Sequence, residues 1–306
     1  MSSVLYDTPG PRAKRRNLLY SALFLVLLAA GVWWALSMMA EKNQLTAEKW
    51  SPFVTDSAIW TTFLFPGLGE TLKAAGLALV IALPLGALLG IGRLSDHAWV
   101  RVPIGAVVEF FRAIPVLVMM VFASAMFVQF TTIESEVRPL YAVVTGLVLY
   151  NASVIAEIVR AGILSLPAGQ TDAAKAIGMR KGQTMRYVLL PQAVTAMLPA
   201  LVSQLVVIVK DTALGGAVLG FSELLFQIRS ITANYGANTI AAFTVVALMY
   251  IAVNGLLTRF AGWLERRLRQ GGKSSGATVD ITDIDTELGG GVAEEVAVRK
   301  GHGTGT

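Results

Sequence analysis

The chain has 306 residues, 55% hydrophobic and 15% charged, with a mean hydropathy of +0.63. A soluble domain carries nearer a quarter charged residues, so the chain reads as an all-α, multi-span membrane protein with about six transmembrane helices. The lack of cysteine excludes disulfides and thiolate metal sites, and the net charge of +5 does not point to nucleic acid, because the basic residues cluster beside apolar runs.

Residues 1–17 are polar and end in Arg12, Lys14, Arg15 and Arg16. The apolar run from about Leu18 to Met39 is long enough to cross a bilayer core of about 30 Å. Trp33-Trp34 followed by Met38-Met39 does not resemble a small-residue cleavage site, so this run is read as a retained anchor. Residues 40–66, with Trp50, Pro52 and Trp60, form an external segment expected to lie along the interface, where Trp is favoured. The second span runs from about Leu68 to Ile91 and contains Pro84 and the spacing Gly86-x-x-x-Gly90. Such spacing lets helices approach closely but is frequent by chance in apolar helices.

Arg93, His97 and Arg101 fall in the next loop. His97 and His302 are far apart and have no metal-ligand spacing. A third single span is expected from about Ile104 to Phe130, with Glu109 and Arg112 three residues apart and able to meet on one helix face near the cytoplasmic side. A fourth runs from about Leu140 to Ile163, with Glu157 and Arg160 where it meets the following loop; they either transmit motion of that loop or terminate the span.

The stretch from 157 to 193 is a polar, basic loop between apolar spans. Pro167 is placed to start a helix, with Ser165 as its cap. Asp172 then falls in the first turn, and Ala173, Ala174 and Ile177 share one face of small side chains. Gly178 stands where a positive φ is expected, after the helix end. A second short helix is expected from about Gln183 to Leu190, broken by Pro191. The fifth span runs from about Ala196 to Leu219 and is interrupted by Lys210 and Asp211, followed by Thr212. Charges within spans are unfavourable and usually functional. Two roles are open to Lys210: attracting a substrate carboxylate near the midplane, or locking spans together with Asp211. Residues 221–238 read as a mixed loop, the sixth span runs from about Thr239 to Trp263, and residues 270–306 read as a disordered acidic tail.

Charge sets the topology. Arg12 to Arg16, Arg93, Arg101, Lys175, Arg180, Lys181, Arg186, Arg266, Arg267 and Arg269 gather on one side of six spans. The positive-inside rule places both termini and the 164–193 loop in the cytoplasm.

The loop resembles the EAA loop of the membrane subunits of bacterial ATP-binding-cassette importers. That pattern is Glu-Ala-Ala, three residues, Gly, nine residues, Ile, one residue, Leu-Pro. Here it is matched in every spacing by Asp172-Ala173-Ala174, Gly178, Val188 and Leu190-Pro191, with Asp for Glu and Val for Ile. Glu157, Arg160, Gly162, Gly169-Gln170, Leu190 to Ala193 and Lys210-Asp211-Thr212 are further similar to the polar amino acid permease branch. Phe111 to Pro115 is similar to the family's Arg-Gly-Thr-Pro segment with two positions changed. The resemblance covers about Gly69 to Arg267. It implies an importer transmembrane domain at 67–269 of five core helices, preceded by an added helix and external loop at 18–66. It also implies ATPase coupling through Gly169, Asp172, Ala173, Ala174, Gly178, Leu190 and Pro191. The first loop helix would dock in a groove of one ATPase subunit.

No Gly-x-x-x-x-Gly-Lys-[Ser/Thr] pattern is present, so ATP and every cofactor are assigned to partners rather than to this chain. The implied partners are two ATP-binding-cassette ATPase subunits, a second permease chain (identical or homologous), an extracytoplasmic solute-binding protein and the bilayer of a bacterial plasma membrane. The chain is then a translocation subunit and not itself an enzyme. Its substrate is expected to be a polar amino acid, with glutamate preferred because a midplane cation suits carboxylates. Two other readings are a gradient-driven secondary transporter, which calls for internal repeats that are not seen, and a non-transporting scaffold, which needs no charge in the fifth span.

Overall fold

A computed structural model describes residues 10–271; residues 1–9 and the acidic tail from 272 onward lie outside them. Among the described residues the chain is helical. Five helices are long and apolar enough to cross a membrane, or six if one bent pair counts as a span. Backbone contacts divide the chain into two units, 1–261 and 262–306. In the second, Arg267 stacks over the Trp263 ring at 4.7 Å.

The first helix, α1 (Pro11–Glu41), begins with Pro in its first turn and buries none of its residues. Its apolar side chains, from Leu18 to Leu36, are exposed on the chain. Short helices α2 (Ala47–Trp50) and α3 (Pro52–Thr55) follow. The segment 40–66, expected to lie along an interface, packs into the helices. Phe53, Ile59 and Leu64 pack with Leu224, Ile228 and Ile231, and the Tyr235 hydroxyl donates to Asp56 Oδ2 at 2.6 Å.

The next span joins a π-helical turn, Ile59–Leu64, to α4 (Phe65–Gly92), with Pro66 at its second position. The same arrangement recurs at α9 (Lys181–Gln183), the π turn Thr184–Leu189 and α10 (Leu190–Leu219), where Pro191 is second. A proline ring clashes with the carbonyl one α turn back. The wider π turn relieves that clash, and the helix runs through. This corrects the expectation that Pro191 breaks the short helix before it: Lys181–Leu219 is one helical run of 39 residues, about 58 Å at the α-helical rise.

The expected third span is two helices, α5 (Ala98–Ala113) and α6 (Val116–Phe130), bent by 99°. Pro115 forces the break. The residue before a proline is disfavoured in the α region, and Ile114 takes φ −91°, ψ 130°.

The central helix is α7 (Arg138–Leu164), against which α4, α5, α6 and α10 pack. The Gly86/Gly90 spacing marks a close approach of α4 to α7. A Cβ on Gly90 would lie 2.6 Å from the Ala156 carbonyl oxygen, and one on Gly86 2.7 Å from the Ile155 side chain. After α8 (Ala168–Ala176) and α10, the expected loop 221–238 contains a further helix, α11 (Gln227–Asn234), before α12 (Thr239–Gly271).

Candidate functional site

The polar hairpin between α7 and α10 is built around a single glycine. Pro167, extended at φ −56°, ψ 134°, precedes the first residue of α8. Ser165 is not its cap: the hydroxyl donates to the Gly162 carbonyl at 2.9 Å. At the other end Gly178 has φ +78°, as the sequence predicts. Its N–H donates to Lys175 O at 2.9 Å, and Met179 N–H to Ala174 O at 3.0 Å. These two bonds satisfy carbonyls that a helix end would otherwise leave free. A Cβ at Gly178 meets nothing within 4 Å, so the requirement is for the backbone angle alone.

The expected face of Ala173, Ala174 and Ile177 is split. Ala174 is 4% exposed, on the side where α8 packs on the π turn, whereas Ile177 is 78% exposed. The outward stripe is instead Gly169, Asp172, Ala173, Ala176 and Ile177, all exposed and at spacings of one, three and four residues. Asp172 lies in the second turn of α8, not the first, because the helix begins at Ala168. Leu190 packs beside the cluster of Ala193 and Met197, while Pro191 is exposed.

Two contacts tie the hairpin to the bundle. Gln192 Nε2 donates to Gln170 Oε1 at 3.2 Å. Lys181 Nζ donates to Leu94 O at 2.8 Å and pairs with Asp96. That ammonium holds the Asp96 carboxyl below the usual aspartate range.

Next to this lies a five-charge network. Arg93, just after α4, donates to Glu157 Oε2 at 2.8 Å and to Glu109 Oε1 at 2.9 Å. Arg160 holds Glu157 Oε1 at 2.6 Å. Arg112 stands 3.7 Å from Glu109 and 3.9 Å from Glu157. The anticipated intrahelical pair Glu109–Arg112 is therefore the looser contact, and Arg93 makes the tightest of the bridges between Glu109 of α5 and Glu157 of α7. The sequence marked Arg93 only as a loop cation, since its partners are 16 and 64 residues away.

In the membrane-spanning part, Lys210 is exposed, Asp211 half-buried and Thr212 fully buried, its hydroxyl donating to Val209 O at 2.8 Å. Lys210 has no carboxylate within 4 Å among the described residues. It lines a cavity of about 360 Å³ with Ala213, Phe243 and Tyr250. Asn151 of α7 accepts from Gln204 Nε2 of α10 at 2.5 Å, a polar bridge the sequence reading missed. It also missed Glu223, which is fully buried.

A model of the family described as binding-protein-dependent transport system inner membrane component matches residues 82–270. The glutamate transport system permease protein GluD of Corynebacterium glutamicum is 48% identical over 237 residues, covering 76% of this chain and 85% of that one. The glutamine transport system permease protein GlnP of Escherichia coli K12 is 33% identical over 218 residues, covering 70% and 97%. Among solved structures, an amino acid ABC transporter crystallised with histidines matches at 29% identity and a TM-score of 0.61, covering 68% of this chain and 95% of the other.

Proposed function

Because the chain belongs to the family of binding-protein-dependent transport system inner membrane components, we propose that it is the translocation subunit of an ATP-driven importer for a polar amino acid, with glutamate as substrate. A pair of cytoplasmic ATPase subunits drives it through the 164–193 hairpin, a second permease chain completes the path, and an extracytoplasmic binding protein delivers the substrate. Both termini lie in the cytoplasm.

The observation that carries this reading is the outward stripe of α8. Gly169, Ala173 and Ala176 give it close-approach surface, and Asp172 gives it one charge. Ile177, 78% exposed, adds one apolar side chain to that surface. The hairpin is held to the connection between α4 and α5 by Lys181 and to α10 by Gln192, so force applied to the stripe reaches the spans through both. The glutamate assignment is supported by the GluD relationship and by Lys210, an unpaired cation in the external half of α10 facing a cavity. Lys210 attracts the substrate carboxylate there.

The test is Gly178→Asp. An L-residue at φ +78° is strained by about 1 kcal/mol or more, and the strain falls on the turn that aims α8. The variant inserts in the membrane but loses the ATPase on co-purification and loses uptake. Full ATPase retention with full uptake would remove the hairpin from the coupling path.

A further inference from the structure

The break at Pro115 leaves a slot beside the charge network. α5 crosses the hairpin-side ends of its neighbours. A Cβ on Gly92, at the end of α4, would lie 2.5 Å from Ile104 Cδ1, and Arg93 bridges Glu109 of α5 and Glu157 of α7. α6 then turns away by 99° and packs along α7, where a Cβ on Gly146 would lie 2.5 Å from the Met120 side chain. The elbow between the two helices holds a cavity of about 490 Å³.

The cavity is lined by Phe110 and Phe111 of α5, Val118, Phe122 and Met126 of α6, and Leu149 of α7, and no charged side chain lines it. Val118, Phe122 and Met126 are spaced by four, so the slot follows one face of α6 for about 12 Å. Phe110, Val118 and Phe122 are more than half exposed. The slot is therefore open on the side of the chain, and in a membrane what lies there is acyl chain.

Arg112 follows Phe111 at the mouth of the slot. Arg93 and Arg160 hold the two carboxylates of the network within 2.9 Å. Arg112 stands 3.7 and 3.9 Å from them, beyond hydrogen-bond range, and is 37% exposed. Three cations thus share two carboxylates, and the surplus charge is open at Arg112. Its depth matters. Glu157 lies about 28 Å along α7 from Arg138, close to the hydrocarbon thickness of about 30 Å. With Arg138 at one boundary, the network stands at the other, at headgroup depth on the hairpin side. Trp99, 76% exposed at the start of α5, suits the same boundary.

We propose that the elbow of α5 and α6 is a binding site for an anionic phospholipid, whose phosphate meets Arg112 while one acyl chain lies in the slot along α6. A cation at headgroup depth and an apolar slot that begins beside it match the two halves of one amphipathic ligand. A free anion would leave the slot empty, and an apolar helix of a second permease chain would leave Arg112 without its anion.

The full complex with its ATPase is reconstituted in nanodiscs of phosphatidylcholine containing a trace of phosphatidylglycerol with a photoreactive group on one acyl chain. On illumination, residues 118–127 are labelled about fivefold more than by the same acyl chain on phosphatidylcholine, the factor that corresponds to about 1 kcal/mol for one cation near anionic lipid. Arg112→Gln removes this difference. Val118→Trp, a bulky side chain at an exposed slot position, lowers labelling by both lipids. Inorganic phosphate, compared with chloride at equal ionic strength, leaves the label in place. Should Arg112→Gln fail to assemble, the two headgroups and Val118→Trp carry the result. Equal labelling by the two lipids in the parent chain would reduce the slot to contact with bulk lipid and overturn the site. Loss of the label to inorganic phosphate would assign Arg112 to a free anion instead. The chain has no cysteine, so cross-linking of Val118→Cys between copies by a short bis-maleimide, without lipid label in the parent, would make the slot a permease interface and overturn the site as well.

Discussion

Glu157→Gln is the substitution that most sharply tests whether the charge network joins the spans to the hairpin. The wild-type carboxylate receives Arg93 at 2.8 Å and Arg160 at 2.6 Å. Hydrogen bonds to a charged group contribute about 1.5–3 kcal/mol each when shielded. The side chains are 24% exposed at Glu157, 16% at Arg93 and 34% at Arg160, so solvent screening reduces both, the Arg160 contact more. A loss of about 2–3 kcal/mol remains after that discount. Three arginines are then left with Glu109 as the nearest acid among the described residues, and α5 loses its ionic tie to α7. In thermal unfolding of the purified complex, Glu157→Gln is therefore less stable. A double-mutant cycle with Arg93→Gln gives a coupling of about 1–2 kcal/mol. ATP hydrolysed per substrate imported rises, because hairpin motion no longer moves α5 with α7. Stability within about 0.5 kcal/mol of wild type together with zero coupling in the cycle would refute the network as a mechanical link.

Other expectations follow from single positions. Gly90→Ala places a methyl 2.6 Å from a backbone oxygen of α7, so the helices must part; the expected destabilisation is about 1–3 kcal/mol, and unchanged thermal unfolding would contradict it. Lys210→Met abolishes uptake while the complex assembles and hydrolyses ATP; normal uptake would remove Lys210 from the substrate path. Lys181→Cys is labelled by an impermeant reagent only after the cells are opened, and labelling from outside intact cells would invert the topology.

What was legible in the sequence was local. The positive φ of Gly178 follows from the residue and its place after a short helix, and the spans follow from runs of apolar residues. Pro115 and Pro191 show where local reading stops, since the same residue type ends one helix and continues another. The difference is the π turn of Thr184–Leu189, which no periodicity of side chains reveals. The split face of α8 depends on which side meets the π turn, a packing fact that alanines cannot announce. Glu223 was hidden for a similar reason: Thr71, the anchor of its neighbour Leu224, is 153 residues away, and an acid in a mixed loop reads as solvated until a tyrosine and two amides are brought to it. Gly86 and Gly90 carried a pattern common by chance, and only the path of α7 gave it meaning.

The central claim is ATP-driven import coupled through the hairpin, and reconstitution tests it most directly. Proteoliposomes containing this chain, its ATPase subunits and its binding protein are loaded with ATP and given labelled glutamate outside. The account predicts uptake that requires both ATP and the binding protein, persists when ion gradients are collapsed by ionophores, and vanishes in Gly178→Asp. Uptake without ATP that disappears with the ionophores would contradict it and make the chain a gradient-driven carrier.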